Sequence, residues 1–235
     1  MGIKDNASNK ERFPGSNVAL GALVMDGAVV GEMCRIDDGC QISANAVIDQ
    51  NVVLCQNVQI LGEVHIDNGC NIRENVTLVG PLHIGQGVYI GRDSIIGATR
   101  EEADLAVKET LIHENCRIGK AVEIIGGVNV GEFSRIRTNA KVIGDVPQYA
   151  IVSRSPAILE RFGCPNCGGQ LLIKQKAQDL LFLACTQCDQ TEIKFSATEW
   201  VRIPNHVLLP ENRQGEEYIS TKGDDHRWLE EWEVR

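Results

Sequence analysis

Aromatic residues are scarce in this chain of 235 residues, at 5% of positions. An interior built on large rings is therefore excluded. Basic side chains are the minority: 23 Lys and Arg stand against 32 Asp and Glu, a formal charge of −9. That deficit argues against a broad electrostatic nucleic-acid binder, because phosphates require a positive surface. No apolar run approaches the roughly 20 residues of a membrane span. The opening MGIKDNASNKERFPG is polar and lacks the apolar core of a secretory signal. Asn6 stands where N-myristoylation requires Ser or Thr. What is plentiful is Ala, Val, Ile, Gly and Cys, which predicts a thin interior of small side chains. The length fits one domain of ordinary size plus an appendage.

A period of six runs through the chain. From Val18 the series reads Val24, Val30, Ile36, Ile42, Ile48, Leu54, Ile60, Ile66, Ile72, Leu78, Ile84, Ile90 and Ile96. It resumes at Ile112, Ile118, Ile124, Val130, Ile136 and Val142. Four residues after each comes a small or β-branched side chain, as at Ala22, Cys34, Cys40, Val52, Cys70 and Val88. Gly often follows the aliphatic position, and Asp, Asn and Gly cluster between. This period fits neither a helix at 3.6 nor a simple strand at 2. A short extended edge of about 20 Å followed by a turn does fit it. Stacked coils of such edges, roughly 4.8 Å apart, bury their faces only against neighbours, so many repeats are needed.

On these residues, over about 17–160, the chain resembles the hexapeptide-repeat family. That likeness implies an all-β fold, a left-handed parallel β-helix with three edges per coil. It also implies a homotrimer with active sites between subunits, and acyl transfer from acetyl-CoA or another acyl-CoA. The register breaks between Ile96 and Ile112, where the charged stretch 97–111 is an insertion leaving one face. In relatives such a loop reaches the acceptor site of the adjacent subunit; otherwise it is a tolerated surface insertion. Asp145-Val-Pro-Gln-Tyr-Ala-Ile-Val152 with Pro156-Ala157 looks like the closing segment of sugar acetyltransferases. Two departures stand out. Arg154-Ser155 replace the usual Gly-Asn, and Ala98 stands where relatives carry an acceptor-contacting Asn.

Acyl transfer to a hydroxyl needs a base, usually His. His65 and His83 are eighteen residues apart and should stack on successive coils. Such a pair would repel when protonated, which suits a base, and would also suit a metal-ligand pair. His113 follows the loop directly and is the first choice for the base. The plain reading of each is an exposed histidine on the coil surface. Arg117 and Arg135 should also stack, and Lys120, Arg137, Lys141 and Arg154 share the late coils. They could bind coenzyme A phosphates, or form a solvated face balanced by Glu123 and Glu132. The γ-class carbonic anhydrases share the fold and bind zinc through three histidines. Asn71–Thr77 partly matches them, but Leu78 falls at the first ligand position, and that activity is set aside.

Of nine cysteines, Cys34, Cys40, Cys70 and Cys116 occupy the small inward position, where Cys acts as a small hydrophobe. Cys55 has no assigned role. Cys164, Cys167, Cys185 and Cys188 form two Cys-x2-Cys pairs, which meet the tetrahedral demand of a structural Zn²⁺. With short hairpin strands at 171–173 and 180–183, the segment 161–196 resembles a zinc ribbon. Disulfides are disfavoured by the five other thiols and the missing leader, which together predict a cytoplasmic setting. The segment 1–16 reads as a lead and 197–235 as a polar arm. The arm ends in a short helix capped by Asp224 that presents Trp228 and Trp232, a docking element for the trimer or a protein partner.

Together these residues predict an acyltransferase acting on a sugar or nucleotide-linked sugar in surface polysaccharide synthesis. The rival is a non-catalytic β-helix scaffold, favoured by Ala98 and Arg154-Ser155. A detached regulatory domain of the sugar nucleotidyltransferase kind, suggested by Val79–Gly85, ranks last.

Overall fold

The computed structural model describes residues 7–98, 108–177, 180–188 and 193–196. The arm with Asp224, Trp228 and Trp232, and most of the expected loop, lie outside the described residues. From Asn17 to Val142, strands of two to four residues alternate with tight turns and pair in parallel with strands of neighbouring coils. Val18 partners Ile36, and Ile36 partners Leu54, at the eighteen-residue spacing. Three parallel ladders result. The first face runs from Asn17–Val18 to Ala150–Ser153, the second from Leu23–Val24 to Lys141–Val142, and the third from Val29–Val30 to Asn129–Val130. The fold is an all-β solenoid whose sequence hexad is one face of a coil, as in the expected β-helix.

The aliphatic series forms the core. Every rung from Ile36 to Ile96 is 1% exposed or less. Burying one such side chain contributes up to about 1.5–3 kcal/mol, an upper bound because the unfolded chain is not fully extended. β-Branched residues suit these edges because their stiff χ1 packs well on a pleated surface. The small inward residues do more than fill space. The thiols of Cys34, Cys40, Cys70 and Cys116 donate to the carbonyls of Asp49, Cys55, Gly85 and Gly131 at 2.9, 3.0, 3.1 and 3.1 Å. Ser94 and Ser134 make the same kind of bond, to Gly119 and Pro147. Reading these cysteines as purely apolar therefore missed a donor that links coil to coil.

Corner chemistry explains the Asn and Gly between rungs. Asn57, Asn75 and Asp93 stack along one corner with φ of 58–61°, and Asn139 takes φ of 61° further along it, past Ala121 at 51°. Asn and Asp tolerate that left-handed region through local side-chain bonding. Gly91 answers a different need. A Cβ there would lie 2.6 Å from the backbone of Gly119 on the next coil.

Register locates the irregularities. Ile84 pairs with Ile112, a separation of 28 rather than 18, so ten residues are inserted between the second and third faces. Later, Ile136 pairs with Val152, so the last coil is two residues short. At the N-terminal end the expected lead contains a helix, Ala7–Arg12, that covers the open coil. Asn9 Nδ2 donates to the Ala22 carbonyl at 3.2 Å, and Arg12 to that of Val24 at 2.9 Å. Solenoid ends need such capping to hide the rung beneath. At the other end the chain reverses. Ala150–Ser153 is parallel to Arg135–Ile136 on one side and antiparallel to Ile158–Gly163 on the other. Gln170–Ala177, Leu180–Cys185 and Ile193–Ser196 continue the first face as antiparallel strands. No helix among the described residues is long and apolar enough to cross a membrane.

Candidate functional site

His113 occupies the corner where the third face hands over to the first. It follows strand Thr110–Ile112, and strand Arg117–Ile118 begins four residues later. Its N–H donates to the Val130 carbonyl at 2.9 Å, which fixes the backbone. The imidazole is exposed and makes no hydrogen bond or ion pair among the described residues. Neither ring nitrogen has a partner among the described residues.

The first face carries the cations. Arg117 and Arg135 are register partners, and Arg117 lies over the Tyr89 ring, 5.8 Å from its centroid. Arg161, opposite Ile151 on the reversing strand, joins them. Burial, then Arg117, then Arg161 hold Arg135 below the usual guanidinium range. Sequence spacing missed Arg161, because it reaches this face through an antiparallel turn rather than the hexad. The other expected cations divide. Lys141 Nζ lies 2.9 Å from Glu123, and Arg137 Nε 2.9 Å from Glu160. Glu123 thus acts as the counter-charge foreseen, whereas Glu132 accepts from the Tyr149 hydroxyl at 3.4 Å. Lys120 is exposed. Arg154 is exposed too, with φ of 78°, so it holds the backbone conformation that the usual Gly would supply.

His65 and His83 stack as expected, in register on the third face, with ring centroids 5.0 Å apart and planes within 7°. Their surroundings differ from a lone repelling pair. His83 Nε2 lies 3.0 Å from Asp67 Oδ1, and His65 Nε2 lies 3.6 Å from the same oxygen. Asp49 Oδ1 is 3.5 Å from His65 Nε2. The nitrogen at each ring's tip is thereby engaged by a carboxylate. Only Nδ1, beside the backbone, is left for a substrate.

The four late cysteines converge at the end of the solenoid. Their sulfurs lie within 4.8 Å of one another, with Cys164–Cys188 at 3.8 Å and Cys167–Cys185 at 3.5 Å. Thiolates on a tetrahedral ion with metal–sulfur bonds of about 2.3 Å stand roughly 3.8 Å apart. These spacings fit that ion and are far from the 2.03–2.05 Å of a disulfide. Burial pushes the Cys164 thiol up. Against burial, the N–H groups of Gln187 and Cys188 and the thiols of Cys167 and Cys188 hold Cys185 down at about 7. Cys164 also packs with Leu159, Phe162 and Leu171 in the solenoid's core, so this cluster closes the last coil.

No protein-family model matches the chain. A curated serine acetyltransferase of Haemophilus influenzae is 33% identical over 72 residues, which are 31% of this chain and 24% of that protein. The chain thus matches about a quarter of the length of that curated relative. Among solved structures, the N-acyltransferase AntD of Bacillus cereus, in complex with dTDP and 3-hydroxybutyryl-CoA, is 16% identical. It covers 68% of this chain and 88% of its own, with a TM-score of 0.49. PerB of Caulobacter crescentus, solved with CoA and GDP-perosamine, is 15% identical and covers 62% of this chain and 56% of its own, with a TM-score of 0.43. A UDP-N-acetylglucosamine acyltransferase is 17% identical and covers 61% and 73%, with a TM-score of 0.46. TM-scores below 0.5 leave these as loose resemblances of outline.

Proposed function

We propose that the chain is an acyltransferase that moves an acetyl or other acyl group from coenzyme A to a hydroxyl or amine of a sugar. A nucleotide-linked sugar of surface polysaccharide synthesis is the acceptor class. The observation that carries this reading is the corner at His113: an exposed imidazole with no partner among the described residues, followed four residues on by Arg117, in register with Arg135. The serine acetyltransferase match and the Asp145–Val152 segment support it.

In this reading the guanidinium groups of Arg117, Arg135 and Arg161 bind coenzyme A phosphates. Exposed Lys120 and Arg154 add positive charge, while Arg137 and Lys141 are balanced by Glu160 and Glu123. The acceptor O–H or N–H gives its proton to His113 as its heteroatom attacks the thioester carbonyl carbon. The tetrahedral intermediate then expels the coenzyme A thiolate, which takes the proton back from the imidazolium. General-base help of this kind contributes about 10²–10⁴-fold. Three copies in a homotrimer would put each His113 corner in a cleft between subunits. The Cys164, Cys167, Cys185 and Cys188 thiolates would hold one structural Zn²⁺ in a ribbon over 161–196, and the free inner thiols suit a cytoplasmic setting.

Calorimetric titration with acetyl-CoA tests the proposal. Binding should occur and should weaken at least tenfold in R117A/R135A. H113N should bind acetyl-CoA normally and lose about 100-fold or more in turnover. Absence of binding to the wild-type chain would overturn the proposal in favour of the non-catalytic scaffold.

A further inference from the structure

We propose that His65, Asp67 and His83, with Asp49 beside them, form a second metal site on the third face of the solenoid. It is separate from the cysteine cluster, and His113 lies on the same corner two coils above Asp67, with Gly85 between them. Coil stacking builds it. His65 and His83 are register partners, and the alignment of Ile48 with Ile66 puts Asp49 directly below Asp67. Two imidazoles and two carboxylates therefore form a staggered patch over three coils, with Asp49 on the lowest, His65 and Asp67 on the middle one and His83 on the highest. Val47 lies below His65 and Leu111 above His83, so the column of ligands is two rungs tall and apolar at both ends.

The distances suit an ion. One ligand atom from each of His65, Asp67 and His83 lies within 4.8 Å of the others. Both Nε2 atoms lie by a single oxygen, Asp67 Oδ1, at 3.0 and 3.6 Å. Ligands at about 2.0–2.2 Å from a tetrahedral or octahedral ion stand roughly 3.0–3.5 Å from one another, so side-chain shifts below about 1 Å would seat it. With neutral rings the patch carries two negative charges, which a divalent cation neutralises. Imidazole selects ions such as Zn²⁺, Co²⁺ or Ni²⁺ over Mg²⁺ and Ca²⁺, which demand oxygen ligands. The four side chains are 29–44% exposed. An ion bound here would keep positions open to water or a substrate, unlike one enclosed by four thiolates.

The test uses the full chain, stripped of metal and titrated with Co²⁺. Intense thiolate-to-cobalt charge transfer would mark the cysteine cluster, and weak visible bands alone would mark imidazole–carboxylate ligation. Wild type should bind one equivalent more than H83Q. H65Q should behave like H83Q, D67N should bind that equivalent at least about tenfold more weakly, and H113Q should match wild type. The comparison holds whether or not the cysteines bind, because it reads the difference between variants. These ligands are half-exposed on a solenoid face, so the variants should keep wild-type melting temperatures without metal. Equal stoichiometry in wild type and H83Q, the same loss in H113Q, or displacement of the ion by equimolar Mg²⁺ would each overturn the proposal.

Discussion

Arg135 lies directly above Arg117 on the first face, and Arg161 approaches the pair from the antiparallel strand that ends the solenoid. Three guanidinium groups share this face, and burial first, then Arg117 and Arg161, hold Arg135 below its usual range. R135M should therefore raise the melting temperature of the ligand-free protein while weakening coenzyme A binding. Dephospho-coenzyme A should show a smaller loss than coenzyme A itself. Scanning calorimetry and titration on one preparation read both signs. A lower melting temperature with unchanged affinity would show a packing role only.

The inward rungs should be far more sensitive than outward positions of the same face. Ile72 is fully buried between Leu54 and Ile90 on neighbouring coils. I72A should cost about 2–5 kcal/mol in denaturant unfolding. Gln41 is exposed, and Q41A should stay within about 0.5 kcal/mol of wild type.

Coil spacing is tested at Gly91. An added Cβ would meet the Gly119 backbone at 2.6 Å, and rigid backbone cannot yield as a flexible side-chain tip can. G91A should destabilise by about 1–3 kcal/mol. In G69A a Cβ meets nothing within 4 Å, so any cost there comes from its φ of 72° alone.

The inner thiols set a pH limit. Burial pushes Cys40 up to about 11, and Cys70 and Cys116 up to about 12, from 9.0. In the unfolded chain they lose protons near 9, while the native protein keeps them. Their stabilisation is thus complete below pH 9 and is lost as pH rises from 9 toward 12. Unfolding free energy measured from pH 8 to 11 should fall, and C70A/C116A should flatten the slope. Alkylation requires the thiolate. At pH 8, with a chelator present, labelling of native protein should therefore reach at most the four clustered cysteines, against all nine in denaturant.

Much of the architecture was legible residue by residue. Ile36, Ile42 and Ile48 announce three faces of one coil because only six-residue edges place all three inward. The His65–His83 and Arg117–Arg135 stacks follow from their eighteen-residue spacing. Arg161 and the Ala7–Arg12 cap carry no periodic signal, so nothing in the spacing marked them; the inner thiol bonds do recur at fifteen residues, but spacing alone does not say that the thiol donates. Lys141 meets Glu123 at the same eighteen-residue spacing, whereas Arg137 turns to Glu160 on the reversing strand, which no spacing marks.

By itself the sequence determined which side chains enter the core and which stack, because burial and backbone pairing both repeat with the hexad. Tertiary structure alone decided what those stacked residues touch. Asp49 and Asp67 meet the histidine pair only because the corner of one coil lies beside the strand of the next. The cysteines converge on the last coil only because the chain there reverses direction, and a reversal has no period to read.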